Sequence, residues 1–134
     1  MRTRLLLCTA LLTLLALACS EDSPEKAFRA FTLAVSKGEH ARAWDLFSVD
    51  TRTRLDSMIR AQDPSAKGDQ VHEVLFQRGL LRATREIVGI EVLTQSRGRA
   101  VLRVSDEEGE QQQVTMVLED GAWKLLLELP ENPA

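Results

Sequence analysis

The chain has 134 residues, of which 28% are charged and 44% hydrophobic, and its formal net charge is −3. This length allows one domain with a single hydrophobic core. An acidic chain with no Tyr and only 4% aromatic residues has neither the positive charge nor an evident aromatic platform for stacking bases, so we expect no nucleic-acid partner.

Residues 1–18 have the pattern of a secretion signal. Arg2 and Arg4 are the only charges, and an uncharged stretch rich in Leu and Ala follows at residues 5–18. This stretch is shorter than the ~20 apolar residues that span a bilayer, and polar residues end it from Ser20 onward. The pattern therefore favours a cleaved signal peptide over a transmembrane helix.

Cys19 directly follows this segment. Ala16, Leu17, Ala18 and Cys19 resemble the lipobox of bacterial lipoproteins, in which the cysteine sulfur receives a diacylglyceryl group and the chain is cut just before it. The usual lipobox has Leu three residues before the Cys and Ala or Ser two before, and here these places hold Ala16 and Leu17. Cys8 would be removed with the signal, so no intramolecular disulfide can form in the mature chain. Secretion as a free protein with an exposed N-terminal thiol is the alternative.

The resemblance implies a lipid anchor at Cys19 and a bilayer as partner. Two or more acyl chains, including a palmitate on the freed amine, give stable attachment where one chain is marginal. Residues 19–23 would form a short tether that holds the domain close to the membrane. Ser20, a non-acidic residue after the Cys, resembles an outer-membrane address, so we expect the cell envelope and favour the periplasmic face of the outer membrane.

Four helices are expected in the first part of a single domain at 24–129. Ser23 caps the first and Pro24 begins it. The second begins near Glu39, and the third is capped by Asp50 or Thr51. Apolar faces with helical spacing predict them: Ala27, Phe28, Phe31, Ala34 and Val35; Ala43, Trp44 and Phe47; Leu55, Met58 and Ile59; and Val71, Val74, Leu75 and Leu81.

From Arg85 the apolar period changes from helical to two, which predicts four strands. Their inward rows are Val88, Ile90 and Val92; Ala100, Leu102 and Val104; Val114, Met116 and Leu118; and Trp123, Leu125, Leu127 and Leu129. Short turns at 96–98, 106–109 and 120–121 require antiparallel neighbours, and Asp120-Gly121 favours a tight hairpin. The expected fold class is α+β, with N-terminal helices packed on a curved four-stranded antiparallel sheet and a flexible tail at 130–134.

Several short motifs are found in this domain besides its Phe-rich first helix: Pro-Glu-Lys-Ala at 24–27, Gly-Glu-His at 38–40, Ala-Arg-Ala-Trp at 41–44, and Asp-Gly-Ala-Trp-Lys-Leu at 120–125. With these motifs the domain resembles, over residues 23–129, the small bacterial lipoproteins of the nuclear-transport-factor-2-like superfamily, which have a cystatin-like fold. The resemblance implies a cone-shaped domain with a cavity between helix and sheet. It does not imply one activity, because members bind small molecules, dimerise, act as isomerases or dehydratases, or have no known role.

Catalytic and metal-binding groups are not apparent. An isomerase of this superfamily would need a carboxylate base with a Tyr donor, and the inward rows hold no carboxylate. His40 and His72 lack metal-ligand spacing, so we expect two solvent-facing histidines, no metal and no cofactor. The expected protein is not an enzyme.

The candidate ligand pocket consists of Trp44, Phe47, Met116 and Trp123, although both tryptophans could instead be core anchors. A basic stripe beside the outward sheet face consists of Arg97, Arg99 and Arg103. We expect Glu91 and Glu128 to neutralise it and the face to be solvated. Docking of a partner is the second interpretation.

Three functions remain open. The first is an accessory or binding module for a small apolar ligand or an envelope protein. The second is a homodimerisation module that uses Val101, Val117 and Leu126 on the outer sheet face. The third, with least support, is an isomerase- or dehydratase-type enzyme.

Overall fold

The computed structural model describes residues 22–68, 70–77 and 85–129. In these segments four helices precede a four-stranded antiparallel sheet of order β1-β2-β3-β4, which confirms the α+β class; the sheet is open. The predicted signal peptide (1–18), Cys19, Leu81 and the predicted tail (130–134) lie outside the described residues. The elements are α1 (Pro24–Ser36), α2 (His40–Asp45), α3 (Val49–Gln62), α4 (Gln70–Gln77), β1 (Ile87–Ser96), β2 (Arg99–Asp106), β3 (Gln111–Glu119) and β4 (Ala122–Leu126).

Helix α1 begins as predicted. The Ser23 side chain accepts a hydrogen bond from the Lys26 backbone N–H at 3.2 Å, and Pro24 is the first helical residue. These features satisfy a free N–H and preset the backbone for a helix. The buried face of α1 packs against α2 and β4.

The segment between α2 and α3 corrects two predictions. Phe47 lies beyond α2 in an extended segment that forms a parallel bridge with Leu125 of β4. The Leu125 N–H donates to the Leu46 carbonyl at 2.8 Å, and the Ser48 N–H donates to the Leu125 carbonyl at 2.9 Å. These bonds hold the segment beside β4 with Ser48 in an extended conformation, so Ser48 rather than Asp50 or Thr51 caps α3.

The inward rows of the sheet are largely as predicted. Strand β2 buries Ala100, Leu102 and Val104 against the helices, and β3 and β4 bury Met116, Trp123 and Leu125. Ile90, Val92 and Val114 pack partly against the core. Val88 and Leu118 are exceptions, at 62% and 43% exposed. At Val88 the register shifts between Ile87 and Gly89, and Ile87 packs on the core instead.

The hairpin between β3 and β4 has the predicted tight turn. Asp120 and Gly121 have φ values of 50° and 79°, so both central residues adopt the left-handed conformation that a type I′ turn requires. This turn fixes the β3–β4 register that pairs Glu119 with Ala122.

Strand β4 stops at Leu126 instead of continuing to Leu129. The buried Thr51 hydroxyl accepts hydrogen bonds from the Leu127 N–H at 3.0 Å and from the Ser48 hydroxyl at 2.9 Å. The chain is therefore drawn away from β3 towards α3, and Leu127 and Leu129 pack partly against the core.

Thr51→Val keeps the shape of the side chain but removes the acceptor for Leu127. Because a buried N–H without a partner costs about 1–3 kcal/mol, we expect a loss of unfolding free energy of that size in urea denaturation. Thr53→Val on the same helix is the matched control, since the Thr53 hydroxyl is exposed and donates only to the Val49 carbonyl. Equal losses for the two variants would contradict this role of Thr51.

Candidate binding site

The four predicted pocket residues lie mostly in the core. Phe47 and Met116 are 0% and 1% exposed, and Trp123 is also buried. Trp44 is half-buried and meets the Phe47 ring edge-on at a centroid distance of 6.1 Å. None of the four lines the large groove that the described residues form.

The two histidines are half-buried rather than fully solvent-facing. His40 stacks on Phe76 with a centroid distance of 4.7 Å and an interplanar angle of 6°. The ring centroids of Trp44 and His72 lie 6.3 Å apart. The histidines therefore help to pack α2 against α4, and no group of His, Cys, Asp or Glu among the described residues could hold a metal ion.

The groove lies between α1 and the free edge of β3 and has a volume of about 1380 Å³. Residues from both faces of the sheet line it. The apolar lining on the helix-facing side includes Phe28, Phe31, Val104, Val114 and Leu125, and the lining on the outer face includes Val101, Thr115 and Leu126. Sequence patterning missed this site, because it arises where a predicted strand ends early.

The edge of β3 is open over half of its length. Strand β4 pairs with residues 115–119 of β3, whereas residues 111–114 pair only with β2 among the described residues. Gln111, Gln112 and Gln113 are all exposed. This segment carries no charge, proline or register shift, which are the usual features that keep a strand edge from pairing.

The backbone groups on this edge can be assigned from the alternation of the ladder. The Leu118 N–H donates to Gly98, and the Glu110 carbonyl accepts from Asp106, so even-numbered residues direct their backbone groups towards β2. Because the direction alternates along an antiparallel strand, the N–H and C=O groups of Gln111 and Gln113 point away from β2. They face the groove.

Asp106 fixes the turn that leads into this edge. Its carboxylate accepts hydrogen bonds from the N–H groups of Glu108 and Glu110 at 3.0 and 2.9 Å, and from Arg85 at 3.1 Å. Burial acts to raise the pKa of Asp106, but the bonds from Arg85, Glu110 and Glu108 together outweigh it and hold the pKa below its ordinary value. The start of β3 is thus tied to the end of β2.

The predicted basic stripe is neutralised in part. Arg103 forms an ion pair with Glu91 at 3.0 Å, as expected. Glu110 and Glu128, which line the groove, are both exposed and form no ion pair with a described residue. The open edge is therefore acidic at its Gln111 end, next to Glu110.

Within the described segments, no helix combines the length and apolarity needed to cross a membrane. No family model matches the sequence, and a comparison with curated proteins finds no match.

The lowered pKa of Asp106 predicts a pH dependence of stability. A carboxylate whose pKa is depressed on folding stabilises the fold above its unfolded pKa, and this contribution is lost as the pH falls through the folded pKa. The midpoint temperature of thermal unfolding should therefore fall more steeply on acidification for the wild type than for Asp106→Asn. The two midpoints should converge at low pH. Asp56→Asn, which removes the exposed pair with Arg60, is the control and should change the slope less. Parallel curves for wild type and Asp106→Asn would contradict the assignment.

Proposed function

We propose that this chain is a cell-envelope lipoprotein, anchored through an acylated Cys19, whose domain is a non-catalytic binding module. The groove beside β3 carries the second half of the proposal. Its volume of about 1380 Å³ is above the ~300–1,000 Å³ typical of small-ligand pockets, and exposed residues of β3 form part of its wall. Such a groove suits an elongated ligand: a small apolar molecule or a segment of an envelope protein.

The proposed shape is the cystatin-like cone of the superfamily that the sequence resembles. It is supported by helices packed against one face of an open four-stranded antiparallel sheet, with α1 lying against β4. In that arrangement the groove corresponds to the mouth between the first helix and the sheet.

The polar groups of the groove suit binding better than proton transfer. Asp106 is held by Arg85 and two backbone N–H groups, which stabilise its charged form. A carboxylate in that state is a weak general base, because effective bases have a pKa near the working pH. Glu110 and Glu128 lie exposed at the rim.

The lipid anchor is tested by Cys19→Ser in the full chain expressed in a bacterium. We expect the wild-type protein to lose residues 1–18, gain the mass of a diacylglyceryl group and remain in the membrane fraction. Cys19→Ser should lose both the added mass and the membrane retention, because the hydroxyl cannot replace the thiolate nucleophile.

Cys8→Ser is the matched control, since Cys8 lies in the segment to be removed and should leave the mature protein unchanged. Intact mass analysis and membrane fractionation are the measurements. A wild-type N-terminus without a lipid, on a protein free in solution, would contradict the anchor.

One observation favours the alternative, a homodimerisation module. Val101, Thr115 and Leu126 are direct cross-strand neighbours on β2, β3 and β4, so they form a continuous row on the face opposite the helices. Val117 lies on the same face of β3. A second copy could bury this row against its own.

Dimerisation through the row predicts that Leu126→Lys shifts the full chain towards monomer in sedimentation velocity, because a charge would be buried at the interface. Leu118→Lys on β3 is the control, since Leu118 is exposed but lies on the helix-facing side of the sheet. A monomeric wild type at high concentration would contradict the dimer.

A further inference from the structure

We propose that the open edge of β3 binds an extended segment of a partner protein as an added strand, in the space that β4 leaves after Leu126. This inference rests on the proposed binding-module role and names the class of partner; it does not depend on the lipid anchor. Strand addition of this kind derives affinity from backbone hydrogen bonds and specificity from alternate side chains.

The backbone of Gln111 and Gln113 supplies the hydrogen-bonding pattern. Each residue directs one N–H and one C=O towards the groove, and neither is bonded to β4, whose register begins at Thr115. Two donors and two acceptors in line are what an incoming strand pairs with.

The other strand edges are protected. Residues 46–48 cover β4 at Leu125 through the bonds of Leu46 and Ser48, and Lys124 places a charge on the short remainder of that strand, where its Nζ donates to the Asp45 carbonyl. Strand β1 contains two register shifts, between Ile87 and Gly89 and between Val92 and Thr94, which distort its ladder. Among the described strands, residues 111–114 are thus the segment that lacks these forms of protection.

The side chains around the edge match the alternation of a strand. Successive residues of an added strand would point to opposite faces of the sheet. On the helix-facing side they would meet Phe31 and Val114. On the outer side they would meet Gln113, whose cross-strand neighbour Arg103 is neutralised by Glu91. The groove spans both faces and can receive both sets.

The charge of the groove specifies the occupant further. Three acidic residues of its lining, Glu86, Glu110 and Glu128, form no ion pair with a described residue. Two basic residues of the lining, Arg29 and Arg99, also lack such a pair, and Arg85 is paired with Asp106. The groove therefore has an excess of negative charge, as has the remainder of the chain after residue 18. We therefore assign the site to an extended segment that alternates apolar residues with Lys or Arg. The apolar side chains would face α1 and the basic ones would face outward.

The test uses the full chain in detergent and the capped peptide Thr-Val-Lys-Val-Lys-Val-Thr. We expect it to bind more tightly than a scrambled peptide of the same composition and than the version with Glu in place of Lys. In amide hydrogen exchange by NMR, the N–H groups of Gln111 and Gln113 should exchange more slowly in the complex. The Gln112 N–H, which already faces β2, should change little and serves as the internal control.

Gln113→Pro removes one outward N–H and should weaken peptide binding about tenfold or more, equivalent to ~1.4 kcal/mol. Gln113→Val keeps the N–H and should bind like the wild type. Circular dichroism checks that both variants fold. As a second route that leaves the backbone intact, the double variant Glu110→Gln with Glu128→Gln should abolish the preference for the Lys peptide over the Glu peptide.

Several outcomes would overturn the inference. Equal binding of the alternating and scrambled peptides, or uniform exchange changes that include Gln112, would rule out strand addition. Binding of palmitate to the groove without binding of the peptide would assign it to a small apolar ligand, leaving the binding-module proposal intact. Failure of both ligands would count against that proposal as well.

Discussion

The structure depends most on the junction around Leu125, where the helical half of the chain is joined to the sheet. Both backbone groups of Leu125 bond to residues 46–48, and the Thr51 hydroxyl accepts the N–H of Leu127 two residues later. The Thr51 hydroxyl is also placed to donate to the Leu125 carbonyl at 3.4 Å. A single buried threonine thus bonds to backbone groups of Leu125 and Leu127 that point away from β3.

This junction has two consequences for the sheet. It covers the outer edge of β4 with residues 46–48, and it turns the chain away from β3 after Leu126. The first consequence protects one edge, and the second exposes another. The groove beside β3 is therefore a result of how the helices are attached, since a β4 strand that continued to Leu129 would occupy it.

Much of the fold could be predicted from local patterns, and the exceptions share one cause. The Ser23-Pro24 helix start, the inward row of β2 and the Asp120-Gly121 turn depend on residues close in sequence, and all three are confirmed. The cap of α3 depends on the bond between Ser48 and Leu125, and the end of β4 on the bond between Thr51 and Leu127. Both bonds join residues that are far apart in the chain. Periodicity cannot reveal such pairing, because Leu127 and Leu129 continue the alternation of β4 although they leave the sheet.

The candidate site was missed for the same reason. The sequence directs attention to large aromatic residues, and these bury themselves in the core, as Phe47 and Trp123 do. Three consecutive glutamines show no apolar alternation, so they do not stand out. Their significance comes from the absence of a described neighbour beside Gln111 and Gln113, which only the three-dimensional pairing of β3 with β4 shows.

An unprotected edge raises the question of why two copies would not pair through it. In an antiparallel self-pairing centred on Gln112, Gln111 of one copy would lie opposite Gln113 of the other, and the acidic turns would approach the partner's groove. Glu107 and Glu110 of each turn would then approach the groove of the other copy, which Glu128 lines, so pairing would bring like charges together in both halves of the interface. The same acidic groups would attract a basic strand. Charge at the end of the edge can therefore oppose self-association and still leave the backbone of Gln111 and Gln113 free for a partner of opposite charge.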